Sequence, residues 1–142
     1  MSQYAQLSDH VETDAIAPAG IDRTAFIGEW INSNPDTTSI ARLKVFEANG
    51  ALQIQVLAIG PDALIDWGTV SGEVFASGPA SRVGAGFSCK YDFGFAEATL
   101  QGMIMKGLLV LAQFNVFKDE SKRTSYFLRE YFAKTHEQYS LK

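Results

Sequence analysis

Cysteine and histidine are almost missing from this chain, which has one cysteine and two histidines among its 142 residues. A single cysteine excludes an internal disulfide framework. Structural zinc sites draw their ligands mainly from cysteine and histidine, and Cys89, His10 and His136 are far apart in the sequence. We therefore expect a fold that needs no disulfide, no metal ion and no cofactor, with Cys89 as a buried, inert thiol.

The chain also lacks a basic excess and a long apolar run. Its net charge is −4, whereas nucleic-acid grooves and sites for anionic membranes need clustered cations. The longest apolar run, 108–112, is far shorter than the roughly 20 residues of a membrane span, and residues 1–14 lack the regions of a signal peptide. We expect no nucleic-acid or membrane partner, and a reducing, cytoplasmic location.

Aromatic residues and turn signals are abundant instead. Ten Phe, five Tyr and two Trp favour the half-buried surface of a β-sheet. Between turns such as Asn49-Gly50 and Lys106-Gly107, short stretches alternate apolar and polar residues, as half-buried strands do. The pattern predicts about eight strands, at 23–32, 40–47, 52–58, 64–76, 83–91, 96–104, 108–117 and 124–132.

Hairpin-length connections between these strands predict an all-β, antiparallel, up-and-down meander. Closing the meander into a barrel removes its exposed edges, and about eight strands can enclose side chains or one small ligand. An open sandwich of the same strands is the alternative. We expect an N-terminal arm (1–22), a β-barrel domain (23–134) and a C-terminal tail (135–142), although the spacing of apolar residues in 126–141 also permits a helix.

Gly28-Glu29-Trp30 on the first strand and Arg129 on the last resemble the signature of the calycins, the family of lipocalin-like and avidin-like barrels. The resemblance implies that Gly28, Trp30 and Arg129 are structural, with the Arg129 guanidinium against the face of the Trp30 ring, a cation–π contact. A wider pattern is similar to uncharacterised small bacterial barrel proteins. That pattern comprises Trp30-Ile31-Asn32, Pro35, Thr38, Asp66-Trp67-Gly68, Tyr91-Asp92-x-Gly94-Phe95, Phe117-x-Asp119 and Arg123.

A carboxylate next to a tryptophan, Asp66-Trp67, is the one weak candidate for catalysis. If Asp66 faces the lumen, an apolar cavity would raise its pKa and suit it to acid–base chemistry. The alternative is that Asp66 caps a turn or pairs with Arg42 or Arg129. No nucleophile elbow is present, and no predicted helix follows Gly84-Ala85-Gly86, so a dinucleotide loop is also excluded.

Several aromatic residues could line a ligand pocket, although each of them could equally be core packing. Ala98 and Gly102 on a neighbouring strand are small and would leave room for a guest. The candidate ligand-binding residues are Trp30, Trp67, Phe87, Tyr91, Ala98, Phe114 and Tyr126.

These observations predict a barrel that binds an apolar small molecule in its lumen. The resemblance leaves a second possibility, a cofactor-independent cyclase or isomerase of bacterial specialised metabolism, in which orientation of a flexible apolar substrate supplies much of the rate. A third possibility is a structural dimer module with a filled core. We expect a homodimer, because only one face of 108–112 can look into a barrel and the other would be an exposed apolar patch. The alternative is that the arm 1–22 covers this patch through Ile16 and Ile21.

Overall fold

The computed structural model describes residues 20–135, and in that range the chain forms one closed β-barrel. Eight antiparallel strands follow one another around the barrel in sequence order, so the up-and-down barrel is confirmed and the open sandwich is not. Residues 1–19 and 136–142 lie outside the described residues, and with them most of the expected arm and tail, His10 and His136. The strands are β1 (Gly28–Asn32), β2 (Ile40–Ala48), β3 (Ala51–Ala58), β4 (Ile65–Ala76), β5 (Gly84–Asp92), β6 (Ala96–Met105), β7 (Leu108–Phe117) and β8 (Tyr126–Lys134).

The connections divide the barrel into two unlike ends. At one end, β2–β3 and β6–β7 are joined by two-residue turns in which both residues have positive φ, at Asn49-Gly50 and Lys106-Gly107, as type I′ hairpins require. We call this the hairpin end; the connection 77–83 lies there too. The longer connections 33–39, 59–64, 93–95 and 118–125 lie at the opposite end, which we call the loop end.

The hairpin half of the lumen is filled by large apolar side chains. A single 3-10 turn, Thr24–Phe26, precedes β1 and carries Phe26 into this end, where its ring meets the edge of Phe87 with centroids 5.3 Å apart. The Trp30 Nε1 donates to the Phe26 carbonyl oxygen at 2.9 Å. The other fully buried side chains of the whole barrel core are Ile40, Leu43, Leu52, Ile54, Val56, Leu100, Leu109 and Phe132.

Gly102 does not provide the empty space that its small size suggests. A Cβ atom at this position would lie 2.5 Å from ring carbons of Phe87. The Phe87 ring therefore occupies the volume over Gly102, and glycine is needed there for the close approach of ring and backbone. Room for a ligand must lie nearer the loop end.

The cation over Trp30 is Lys134, and the Arg129 contact implied by the calycin resemblance is absent. β8 pairs with β1 through Trp30 opposite Lys134, and the Lys134 Nζ lies 5.1 Å from the indole centroid. Arg129 pairs with Ala112 and points to the outer surface, because it is an odd number of positions from Lys134 on a strand of alternating faces. Gly28 has φ 144°, and its missing Cβ leaves room for Lys134, whose Cε would lie 3.1 Å from it.

We expect Trp30→Ala to lower the free energy of unfolding by about 3–5 kcal/mol, because it leaves a cavity in the packed half of the lumen. Lys134→Ala should lower the free energy of unfolding by less, since it removes only the cation over the Trp30 ring. Urea denaturation of these variants, at a protein concentration low enough to dissociate a dimer and with Arg129→Ala as the exposed control, measures both effects. An Arg129→Ala loss as large as that of Lys134→Ala would contradict the assignment of the capping cation.

Candidate ligand-binding site

A cavity of about 560 Å³ opens at the loop end of the barrel, above the packed half of the lumen. Its walls are mainly aromatic and aliphatic, and a few neutral polar groups lie among them. The lining residues are Thr38, Ser39, Ala58, Ile59, Ile65, Asp66, Trp67, Phe93, Phe95, Ala96, Gln113, Asn115, Phe117, Tyr126 and Leu128.

Trp67 reaches this cavity because of a β-bulge in β4. Val56 of β3 pairs with Gly68 and the next residue, Leu57, pairs with Asp66, so Trp67 is the extra residue. Gly68 has φ 91°, a conformation that glycine adopts without strain. The bulge turns the indole toward Phe93, with ring centroids 5.0 Å apart in an edge-to-face arrangement.

Tyr91 supports this wall from behind. Its ring meets the Trp67 indole at a centroid distance of 5.4 Å, and its hydroxyl lies 2.8 Å from the carbonyl oxygens of both Ile54 and Gly68. The single hydroxyl proton is thus shared between β3 and the bulge of β4. Burial raises the pKa of Tyr91 well above its ordinary value, so the hydroxyl stays neutral and remains a donor.

The facing wall is held by a cation on the loop 118–125. The Arg123 guanidinium lies 4.2 Å from the centroid of the Phe117 ring and 5.4 Å from that of Phe95. It also donates to Asp119 at 2.9 Å and to the Ser121 hydroxyl at 2.9 Å. Hydrogen bonding from Ser121, helped by Arg123, lowers the pKa of Asp119, so this loop is tied to the aromatic rim at neutral pH.

A chain of neutral polar side chains runs along the base of the cavity. The Ser39 hydroxyl donates to Gln113 Oε1 at 3.0 Å, and Gln113 Nε2 donates to Asn115 Oδ1 at 3.1 Å. Gln113 is only 4% exposed. The Asn115 Nδ2 is buried and has no hydrogen-bond partner among the described residues.

Asp66 lies at the exposed rim of the cavity and does not project into the lumen. Its carboxylate accepts hydrogen bonds from Gln55 Nε2 at 2.9 Å and from the Gly68 backbone N–H at 2.7 Å. The condition for a lumen-facing acid–base group is therefore not met. Of the two structural alternatives, turn capping describes Asp66 and an arginine partner does not. Arg42 pairs with Glu29 at 2.8 Å, and Arg129 lies on the outer surface.

The candidate ligand-binding residues fall into three groups. Trp67 and Tyr126 line the cavity, with Tyr91 and the fully buried Ala98 directly behind. Trp30 and Phe87 belong to the packed core. Phe114 lies on the outer surface, 40% exposed, with its ring 5.1 Å from that of Phe127.

The lining residues that were not among the sequence candidates include Phe93, Phe95, Gln113, Asn115 and Phe117. The Tyr91-Asp92-x-Gly94-Phe95 corner was a usable signal for the first two. No sequence signal pointed to Gln113 and Asn115, because neutral amides on a strand are ordinary surface residues unless the inward face of the strand is known.

A second cavity, of about 440 Å³, lies outside the barrel on β5 to β8. Small residues, including Gly86, Ser88 and Ala112, form its floor, and the larger side chains of Phe75, Met103 and Arg129 stand around it. In the strand 108–112, Leu109 and Leu111 face the core, while Val110 and Ala112 face this outer groove.

Comparisons with protein-family models, with curated proteins and with solved structures find no match to this chain. Between residues 20 and 135, no helix has the length and apolarity to cross a bilayer. The same range contains no group of three or more His, Cys, Asp or Glu side chains placed to hold a metal ion.

We expect stability to fall as the pH rises from about 9 to about 12. Burial raises the pKa of the Cys89 thiol from 9.0 to about 12, so the unfolded chain loses this proton first and is favoured at alkaline pH. Tyr91 contributes in the same direction. Urea denaturation across this range should show a shallower fall for Cys89→Ala than for the native chain, and equal slopes would contradict the buried thiol.

Proposed function

We propose that this protein binds a small, largely apolar molecule in the cavity at the loop end of its barrel. The observation that carries the proposal is an aromatic-walled cavity above a lumen that is otherwise packed with side chains. Ligand sites are typically concave and mostly apolar, with a few polar groups that fix orientation, and this cavity has both components.

The cavity favours a neutral ligand with a flat body. Trp67 and Phe93 on one side and Phe117 and Tyr126 on the other present ring faces and edges to its interior. Among its described lining residues, Asp66 is the one carboxylate, and no Lys or Arg is present. An anionic ligand would thus lose its hydration without gaining an opposite charge. A cationic ligand would meet only the Asp66 carboxylate, which already accepts hydrogen bonds from Gln55 and Gly68 at the rim.

Binding accounts for the site better than catalysis or a purely structural role. A cyclase or isomerase would draw its acid–base group from the lining, and Asp66 is held at the rim by Gln55 and Gly68. A structural module would have a filled core, whereas the loop half is open. The Gly28, Trp30 and Lys134 contact supports kinship with the calycins, and a buried free thiol at Cys89 suits the reducing cytoplasm.

We expect the uncharged dye N-phenyl-1-naphthylamine to bind saturably, with a rise in its fluorescence. Phe93→Ala should weaken binding by roughly tenfold, the value of a lost aromatic contact together with its buried area. Phe46→Ala is the matched control, because this phenylalanine is exposed on β2 and lines neither cavity. The proposal fails if the native protein shows no saturable binding, or if Phe46→Ala weakens binding as much as Phe93→Ala.

We also propose that two copies of the chain pair through the outer groove on β5 to β8. Large apolar side chains are exposed around this groove, and patches of this kind commonly meet a partner. They are Phe75, Met103, Phe114, Phe127 and Tyr131.

Charge placement favours a second copy as the occupant. One row of paired residues crosses the sheet from Glu73 through Ser88, Gln101 and Ala112 to Arg129. Neither Glu73 nor Arg129 forms an ion pair with another residue of the described range. A two-fold axis running along β6 between facing copies places Glu73 of each copy on the same side of the interface as Arg129 of the partner subunit, so that their opposite charges favour this pairing.

We expect light scattering to give a mass near twice the 15.5 kDa of one chain. Arg129→Glu should shift the equilibrium toward monomer, because it places like charges opposite each other. The double variant Glu73→Arg with Arg129→Glu should restore the dimer. A monomeric native chain, or a double variant as weak as the single one, would contradict this interface.

A further inference from the structure

The polar chain at the base of the cavity has a direction and an open end. Each amide oxygen in it accepts a hydrogen bond from the residue before: Gln113 from Ser39, and Asn115 from Gln113. Both amide oxygens are thereby engaged. The end of the chain is the Asn115 Nδ2, a donor removed from solvent and without a partner in the described residues.

A buried donor without an acceptor is costly, so proteins almost always satisfy such groups. The donor here is also a strong one, because hydrogen bonds arranged head to tail polarise each other. Asn115 belongs to a wall of the cavity, while its Nδ2 is shielded from solvent. A small rotation of the side chain on ligand entry would let a bound molecule supply the missing acceptor.

The surroundings of Asn115 fix how such a molecule would lie. Gln113, Asn115 and Phe117 alternate along the inward face of β7, with polar groups deeper in the barrel and the aromatic ring nearer the rim. In the pairing across the sheet, Asn115 lies between Ala98 and Tyr126. The small side chain of Ala98 leaves space beside the Asn115 amide. The rings of Phe117 and Tyr126, nearer the rim, suit the apolar part of a ligand.

Given the proposed function, we infer that the ligand carries an acceptor oxygen, of the carbonyl type, that accepts a hydrogen bond from Asn115 Nδ2. The oxygen enters first, and the flat apolar body lies between Trp67 and Phe117. The site thus selects neutral aromatic or conjugated ketones over hydrocarbons of the same shape.

The test uses two probes of the same shape, 2-acetylnaphthalene and 2-isopropenylnaphthalene, in which a ketone oxygen is replaced by a CH2 group. The affinity of each is measured by its displacement of bound N-phenyl-1-naphthylamine. The ratio of ketone affinity to hydrocarbon affinity should fall by about tenfold in Asn115→Leu, within the range for a lost buried hydrogen bond. Asn115→Asp offers an acceptor in place of the donor. This variant should bind a third probe, the hydroxyl donor 2-naphthol, more tightly than it binds 2-acetylnaphthalene. An unchanged ratio in both variants would overturn the inference while leaving the proposed function intact.

A measurement on the native protein covers the case in which both variants fail to fold. Infrared difference spectra of bound, carbon-13-labelled 2-acetylnaphthalene should show a carbonyl stretch below its frequency in an alkane solvent. A frequency equal to that in alkane would overturn the inference. If neither probe displaces the dye and the dye itself does not bind, the proposed function fails and the inference with it.

Discussion

Closure of the sheet between β1 and β8 is the constraint on which the rest of this structure depends. It rests on few residues, since β1 has five and pairs with β8 at Trp30, Ile31 and Asn32. Trp30 reinforces the seam from within, through its bond to the Phe26 carbonyl and the Lys134 ammonium over its ring. Without this seam, both edge strands would be exposed, and the loop-end cavity would lose the wall formed by β7 and β8.

Within the closed barrel, the packed core and the open cavity are separated along its length. The hairpin half holds the buried side chains of Phe26, Trp30 and Phe87 and supplies stability. The loop half is lined by rings in edge-to-face, tilted and stacked contacts and by a polar chain whose last donor has no partner among the described residues. A substitution in the loop half can thus change the lining of the cavity without removing the core, as in proteins whose scaffold is rigid and whose binding residues lie at its ends.

Alternation of apolar and polar residues was enough to predict the strands, the antiparallel meander and the barrel, because half-buried strands have a two-residue period. The direction in which individual side chains point was harder to predict. The sequence predicts Arg129 and Phe114 in the interior, but each lies on the outward face. Their direction depends on strand register, which the sequence does not show. Trp67 points inward because of a bulge, and Phe93 and Phe95 come from a turn outside any alternating pattern.

The direction of β1 and β8 has a practical consequence for work with this protein. β1 starts and β8 finishes at the hairpin end, so Gly20 and Thr135, the limits of the described chain, both leave the barrel on the side away from the cavity. Attachment of a solid support or a fused partner beyond either residue would leave the loop end facing solution. The barrel can therefore be displayed on a surface with its opening outward, so that the cavity stays accessible from solution.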